Sequence, residues 1–222
     1  MCRLLYVRGS VPFDPQPHLQ QFAALCKASK EYQGHGWGVS TYSRAGCDAG
    51  EWRHLHSIVP IWEDELPAIR SVDVAIAHAR SAFNDEGIVV ENNMPFVNGE
   101  SVFIFNGELR GVRLKQLGRI GAEKIFNTIL ECNTTNDIGE ALTRAVRVIR
   151  SRTRYIRAMN IIIAVRDKAY IYSQAAEDPD YFTMQVSCDK PLVICSDRYR
   201  DPSCPEFERS WNPIVYEKVE VI

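Results

Sequence analysis

Two segments with helical period, 122–132 and 137–150, are flanked on both sides by series of strand-like segments. That order excludes the strand–helix alternation of a doubly wound parallel sheet. Ahead of the helices, 2–7 is a short apolar run that begins almost at the first residue, so the chain terminus is expected inside the fold. The spacing of Leu19, Phe22, Ala23 and Cys26 predicts a helix over 16–30, stopped by Gly34. GHGWGVSTYS reads as a turn entering a strand, 52–58 as a further strand, and 72–78 as a strand buried on both faces. A short, wholly buried strand over 101–105 runs directly into Asn106-Gly107. Behind the helices, 160–165, 169–173, 182–187, 192–196 and 214–219 follow in hairpin-like succession. Thr135 or Asn136 is placed to cap the second helix. The pattern favours an α+β fold with helices outside and antiparallel sheet inside, as a single domain over 1–222.

Composition narrows the function classes. The formal charge is 26 − 28 = −2, which gives no global field to attract a polyanion, so no nucleic acid and no membrane is expected as a partner. The seven cysteines are an odd set with no CxxC pair. Neither a disulfide framework nor a tetrahedral zinc site is expected, and a reducing cytoplasm is. The N-terminal apolar run is interrupted by Arg3, and no later stretch approaches the length of a membrane span. His54 and His56 share one strand face without a third ligand nearby, and Cys188, Cys195 and Cys204 have no zinc-knuckle spacing. They read as a surface pair and as ordinary thiols; no metal and no cofactor is expected.

Four features could carry chemistry. Removal of Met1 would leave Cys2 with both a thiol and a free α-amine. An α-amine titrates at about 7.7–8.0 and a thiol at about 8.5, so the amine can take the thiol proton near neutral pH, through a water. Nucleophile and base then share one residue; the plainer reading is a small buried cysteine. Phe105-Asn106-Gly107-Glu108-Leu109 offers an Asn amide and a glycine N–H that could hold an oxyanion, although Asn-Gly is equally a hairpin-turn signal. Arg80 follows a buried run, where its planar fork could grip a carboxylate or simply face water. His78 beside it reads as a hydrogen-bonded structural histidine. Gly34-His35-Gly36-Trp37-Gly38 lacks phosphate-loop spacing; it is a pocket wall or a tight turn.

Cys2, GHGWGVS, AHARS, ENNMPF and FNGEL, in this order, resemble the class II glutamine amidotransferases, members of the N-terminal-nucleophile hydrolases. The small stand-alone glutaminase-like group is the nearest likeness, and the motifs cover residues 2 to about 126. The resemblance implies a four-layer αββα sandwich and cleavage of a γ-glutamyl amide through a thioester on Cys2. It gives Asn106 and Gly107 the oxyanion hole, Arg80 the substrate α-carboxylate, and Trp37 a wall near the nucleophile. It implies glutamine or another γ-glutamyl amide as substrate, a separate synthase subunit as one recipient of ammonia, and is compatible with a homo-oligomer.

Two departures stand out. Gly121 falls where the family often has an Asp that binds the substrate α-amino group, which leaves that role to another acid such as Glu108 or Glu123. Met94 stands where many members have His. The competing reading is a catalytically inactive member that binds or regulates. Its contact surface would be the basic stripe of Arg144, Arg147, Arg150, Arg154 and Arg157, if the helix continues that far.

Overall fold

A computed structural model describes residues 1–45, 50–166, 168–214 and 218–222. In chain order its elements are β1 (Arg3–Phe13), α1 (Gln16–Lys27), β2 (Trp37–Tyr42), β3 (Trp52–Ser57), β4 (Val72–Ala79), β5 (Phe96–Asn98), β6 (Ser101–Val112), α2 (Gly121–Glu131), α3 (Ile138–Ser151), β7 (Thr153–Val165), β8 (Lys168–Ala175), α4 (Pro179–Phe182), β9 (Gln185–Ser187), β10 (Leu192–Cys195), β11 (Asn212–Pro213) and β12 (Glu220–Val221). The strands form two antiparallel sheets, of order β11-β9-β10-β1-β4-β2-β3 and β12-β8-β7-β6-β5. Cys47 and part of the strand expected at 214–219 lie outside the described residues.

Strand alternation sorts side chains into layers. Leu5 and Val7 of β1 and Ala75, Ala77 and Ala79 of β4 pack with Leu19, Phe22 and Cys26 of α1. Burying residues such as Leu19 and Phe22, each fully enclosed, stabilises this docking by about 1.5–3 kcal/mol apiece. Leu4, Tyr6, Val74 and Ile76 point the other way, into the core shared with the second sheet. On the far side Phe103 of β6 stacks on Phe126 of α2, ring centroids 4.8 Å apart. The layers are therefore α1, sheet, sheet and the α2–α3 pair, the four-layer αββα arrangement.

Local chemistry explains where elements stop and where the sequence reading needs correction. The cap of α3 is Asp137, not Thr135 or Asn136: its carboxylate accepts from the N–H groups of Gly139 (2.9 Å) and Glu140 (3.0 Å). Asn136 instead turns the chain, at φ 59°. The helix ends at Ser151, so Arg154 and Arg157 lie on β7 and the basic stripe does not continue as one helical face. The Asn106-Gly107 turn does not form either. β7 supplies a partner residue by residue, Asn106 opposite Asn160 and Gly107 opposite Met159, and the irregularity falls later, between Glu108 and Leu109. Long-range pairing overrides the local turn preference, and β6 runs on to Val112.

Candidate active site

β1 and β4 pair with Arg3 opposite Ala79 and Leu4 opposite His78, which brings Cys2 beside the residues that follow β4. The Cys2 sulfur accepts from the Ser81 N–H (3.4 Å) and its thiol points to the Ser81 carbonyl (3.7 Å). Burial pushes the Cys2 thiol above its ordinary value. The Met1 ammonium, the Ser81 N–H and the Arg80 guanidinium pull it down without overcoming that effect. The resting sulfur is protonated and needs a base to attack anything.

Arg80 is almost fully buried, and burial lowers its pKa. Its guanidinium donates to the carbonyls of Gly87 (2.7 Å) and Glu86 (3.3 Å), so it ties down the segment after β4. His78 shares the inward face with Leu4. It is fully buried, neither ring nitrogen has a hydrogen-bond partner among the described residues, and burial together with Arg80 lowers its pKa to about 3. It is neutral at physiological pH. Among the described residues the Phe105 main chain is the one backbone group that opposes this shift, without reaching ordinary hydrogen-bond geometry with either ring nitrogen.

Across the sandwich, alternation places Asn106 with Val102 and Ile104 on the inner face of β6. Asn106 is completely buried, and neither its amide nitrogen nor its carbonyl oxygen has a partner among the described residues. Its neighbour Asn160 shows the contrast: it donates to the Phe182 carbonyl (2.7 Å) and accepts from Ser173 (2.8 Å). Leaving an amide unpaired in such surroundings costs about 1–3 kcal/mol. Gly107 allows close approach, since a Cβ there would lie 2.3 Å from the Ala158 carbonyl oxygen. Past Phe103 the β5 edge of β6 has no paired strand among the described residues, so Asn106 and Gly107 lie on a stretch paired on one side.

The N-terminus joins the two halves. The Met1 side chain packs against Ala158, Tyr181 and Phe182. Its carbonyl accepts from the Gln33 amide (2.5 Å) and the Tyr181 hydroxyl (2.8 Å), and its ammonium pairs with Glu31. Glu31 lies 3.9 Å from Arg157, which also binds Glu108 (2.9 Å) and Asp178. Glu31, Gln33 and Tyr181 carry no motif, and a sequence reading has nothing to find them by. Arg3 holds Tyr181 in place, its guanidinium 4.0 Å from the ring centroid and bonded to the Tyr181 carbonyl.

The structure therefore brings Cys2, Arg80, Asn106 and Gly107 to one end of the sandwich. Trp37 is not with them: its ring lies in the α1 layer, with its N–H on Asp64 (2.8 Å). Glu108 is engaged by Arg157 and Arg110. Glu123 is engaged by Arg119 at 2.6 Å, and Gly121 opens the first turn of α2 with open space where a side chain would stand. His54 bonds Ser40 (2.7 Å) and His56 the Pro95 carbonyl (3.0 Å). Among the described residues no cluster of His, Cys, Asp and Glu is placed to hold a metal, and no helix is long and apolar enough to cross a membrane.

Structural neighbours of this fold are class II glutamine amidotransferases. The chain superposes on a glutamine phosphoribosylpyrophosphate amidotransferase from B. subtilis with a TM-score of 0.66 at 13% identity. It is covered completely there but spans 49% of that longer chain. A predicted glutamine amidotransferase from Pseudomonas aeruginosa matches at 0.60 and 15% identity, over 99% of this chain and 96% of the other. A glutamine aminotransferase class-II domain protein from Silicibacter pomeroyi matches at 0.55 and 14%, over 100% and 98%. No family model and no curated protein matches the sequence. At such identities the likeness is one of fold.

Proposed function

We propose that the chain, once Met1 is removed, is a glutamine amidotransferase-like hydrolase that cleaves a γ-glutamyl amide through a thioester on Cys2. The observation that carries this reading is the buried Asn106 amide without a partner among the described residues, on the sheet face that opposes the strand led by Cys2. Buried amides are usually paired, and a donor held in reserve for a developing oxyanion is one physical reason for an exception.

In this mechanism the neutral Cys2 α-amine takes the thiol proton through a water, and the sulfur attacks the amide carbon. The oxyanion forms against the Asn106 amide and the Gly107 N–H, where one lost donor costs roughly 10²- to 10³-fold in rate. The carbon–nitrogen bond then breaks as the α-ammonium returns its proton to the leaving nitrogen. Water adds to the thioester, giving its proton to the amine, and the carbon–sulfur bond breaks to restore the thiol. The buried positive charge of Arg80 favours a carboxylate-bearing substrate. Ammonia or an amine is the first product, released to solvent or to a separate synthase subunit.

The test starts from the mass of the purified chain, since retained Met1 blocks the amine. A glutamine-derived diazo ketone should form an adduct on Cys2 of the Met1-free protein. Ammonia release from glutamine or γ-glutamyl amides should be lost in Cys2→Ala; turnover unchanged in that variant would end this reading.

A further inference from the structure

Met1 is bound here as a ligand would be. Its α-ammonium meets the Glu31 carboxylate, its carbonyl oxygen receives the Gln33 amide and the Tyr181 hydroxyl, and its side chain lies on Ala158, Tyr181 and Phe182. Ammonium, Cα and carbonyl are the head group of any α-amino acid. We propose that, once Met1 is gone, this place receives the α-amino-acid head group of the substrate. Glu31 accepts from the substrate ammonium, and Gln33 and Tyr181 donate to one oxygen of its α-carboxylate. The inference rests on the reading above for the removal of Met1 and for the thioester on Cys2.

The covalent lengths agree. About six bonds separate the Cys2 sulfur from the Met1 nitrogen, and about five separate the same sulfur from the α-nitrogen of a glutamyl thioester. Both paths leave one atom, and they are similar enough to end at one carboxylate. The charges agree as well. The other acids near the site are occupied, Glu108 by Arg157 and Arg110 and Asp178 by Arg157. Glu31 stands farther from that guanidinium, at 3.9 Å, and has the Met1 ammonium as its close partner. Removing Met1 takes that partner away. Gln33 is fully buried, and its amide nitrogen is held between the Met1 carbonyl (2.5 Å) and the Glu31 carbonyl (2.8 Å).

The position is also built to be rigid. His35 N–H donates to the Arg80 carbonyl (3.1 Å) and Arg80 N–H to the Gly36 carbonyl (2.8 Å). These bonds lock the segment carrying Glu31 and Gln33 to the strand end beside Cys2. Gly36, at φ 101°, leaves no room for a side chain, since a Cβ there would lie 2.1 Å from the Asn93 amide and 2.5 Å from the Ser57 carbonyl oxygen. The arrangement selects substrates with a free α-amino group over those without one.

The experiment compares L-glutamine with its des-amino analogue, glutaramate, on Met1-free protein whose mass has been verified. Glu31→Gln should raise KM for L-glutamine by about 10- to 100-fold, with kcat within about threefold, and leave glutaramate turnover unchanged. Tyr181→Phe should raise KM for both compounds. Equal KM values in parent and Glu31→Gln overturn the proposal. So does an equal rise for both compounds, which would mark a general field effect. If neither compound is turned over, protection of the Cys2 thiol from iodoacetamide decides. Protection by L-glutamine that is weakened in Glu31→Gln supports the head-group site, and protection that is absent or unaltered overturns it. Cys2→Ala judges the thioester separately, because it removes turnover whether or not Glu31 binds the head group.

Discussion

Replacing Asn106 by leucine should make the protein more stable and remove its activity. Both polar atoms of Asn106 are enclosed without a partner among the described residues, and an unpaired buried amide costs about 1–3 kcal/mol. Its inner-face neighbours Val102 and Ile104 are fully buried and apolar, so a leucine of similar bulk enters favourable surroundings. Part of the gain is lost to imperfect shape, since extra methyl groups in a packed core cost about 1–3 kcal/mol when they strain it. The expected balance is a stabilisation of about 1 kcal/mol. For a chain of 222 residues that is a rise in Tm of about 2–4 °C. Calorimetry or urea titration of parent and variant reads it directly, and ammonia release should fall by roughly 10²- to 10³-fold in the same preparation. A variant less stable than the parent by about 1 kcal/mol or more contradicts an unsatisfied Asn106. It would mean that the amide is satisfied in solution by ordered water and contributes to the fold.

Three other perturbations have defined outcomes. Gly107→Ala places a Cβ 2.3 Å from the Ala158 carbonyl oxygen; main chain must move, and the urea midpoint should drop by the equivalent of about 1–3 kcal/mol. Asp137→Ala removes the cap of α3 and should cost about 1 kcal/mol, whereas Thr135→Ala should change stability by less than half of that. Acid should weaken the fold through histidine before it does so through carboxylates. Burial lowers His18 and His78 from 6.5 to about 3, aided by Arg209 and Arg80 respectively. The unfolded chain therefore takes up these protons first, and stability present above pH 6.5 is lost as pH falls towards 3. Between about pH 6.5 and 5 the slope should approach about 1.4 kcal/mol per pH unit for each ring. His78→Leu should halve it, as read from urea midpoints across that window, and an unaltered slope would show that His78 finds a proton acceptor.

Short-range pattern is most informative where it alone decides structure. The run 72–78 is the buried strand Val72–Ala79, the apolar spacing around Leu142 and Ile149 is a face of α3, and the order of segments yields two sheets with helices outside. Cys2, Arg80 and Asn106 are visible in the sequence as residues whose chemistry stands out within short motifs. Trp37 stands out equally and goes to the other face of the sheet, because one step along a strand reverses the direction of a side chain.

The periodicity of the elements, their order and the chemical types near the ends of strands are therefore local properties of the chain. The remaining features depend on contacts between distant segments. Asn106-Gly107 is strand because β7 arrives to pair with it, and Arg157 leaves the helical stripe because α3 has ended before it. The head-group site is the furthest from any local signal. Glu31 and Gln33 meet Tyr181 at Met1 because Arg3 pins Tyr181 beside the start of β1, across more than half of the chain. No periodicity encodes such a meeting; the packing of one sheet end against the segments that cross it does.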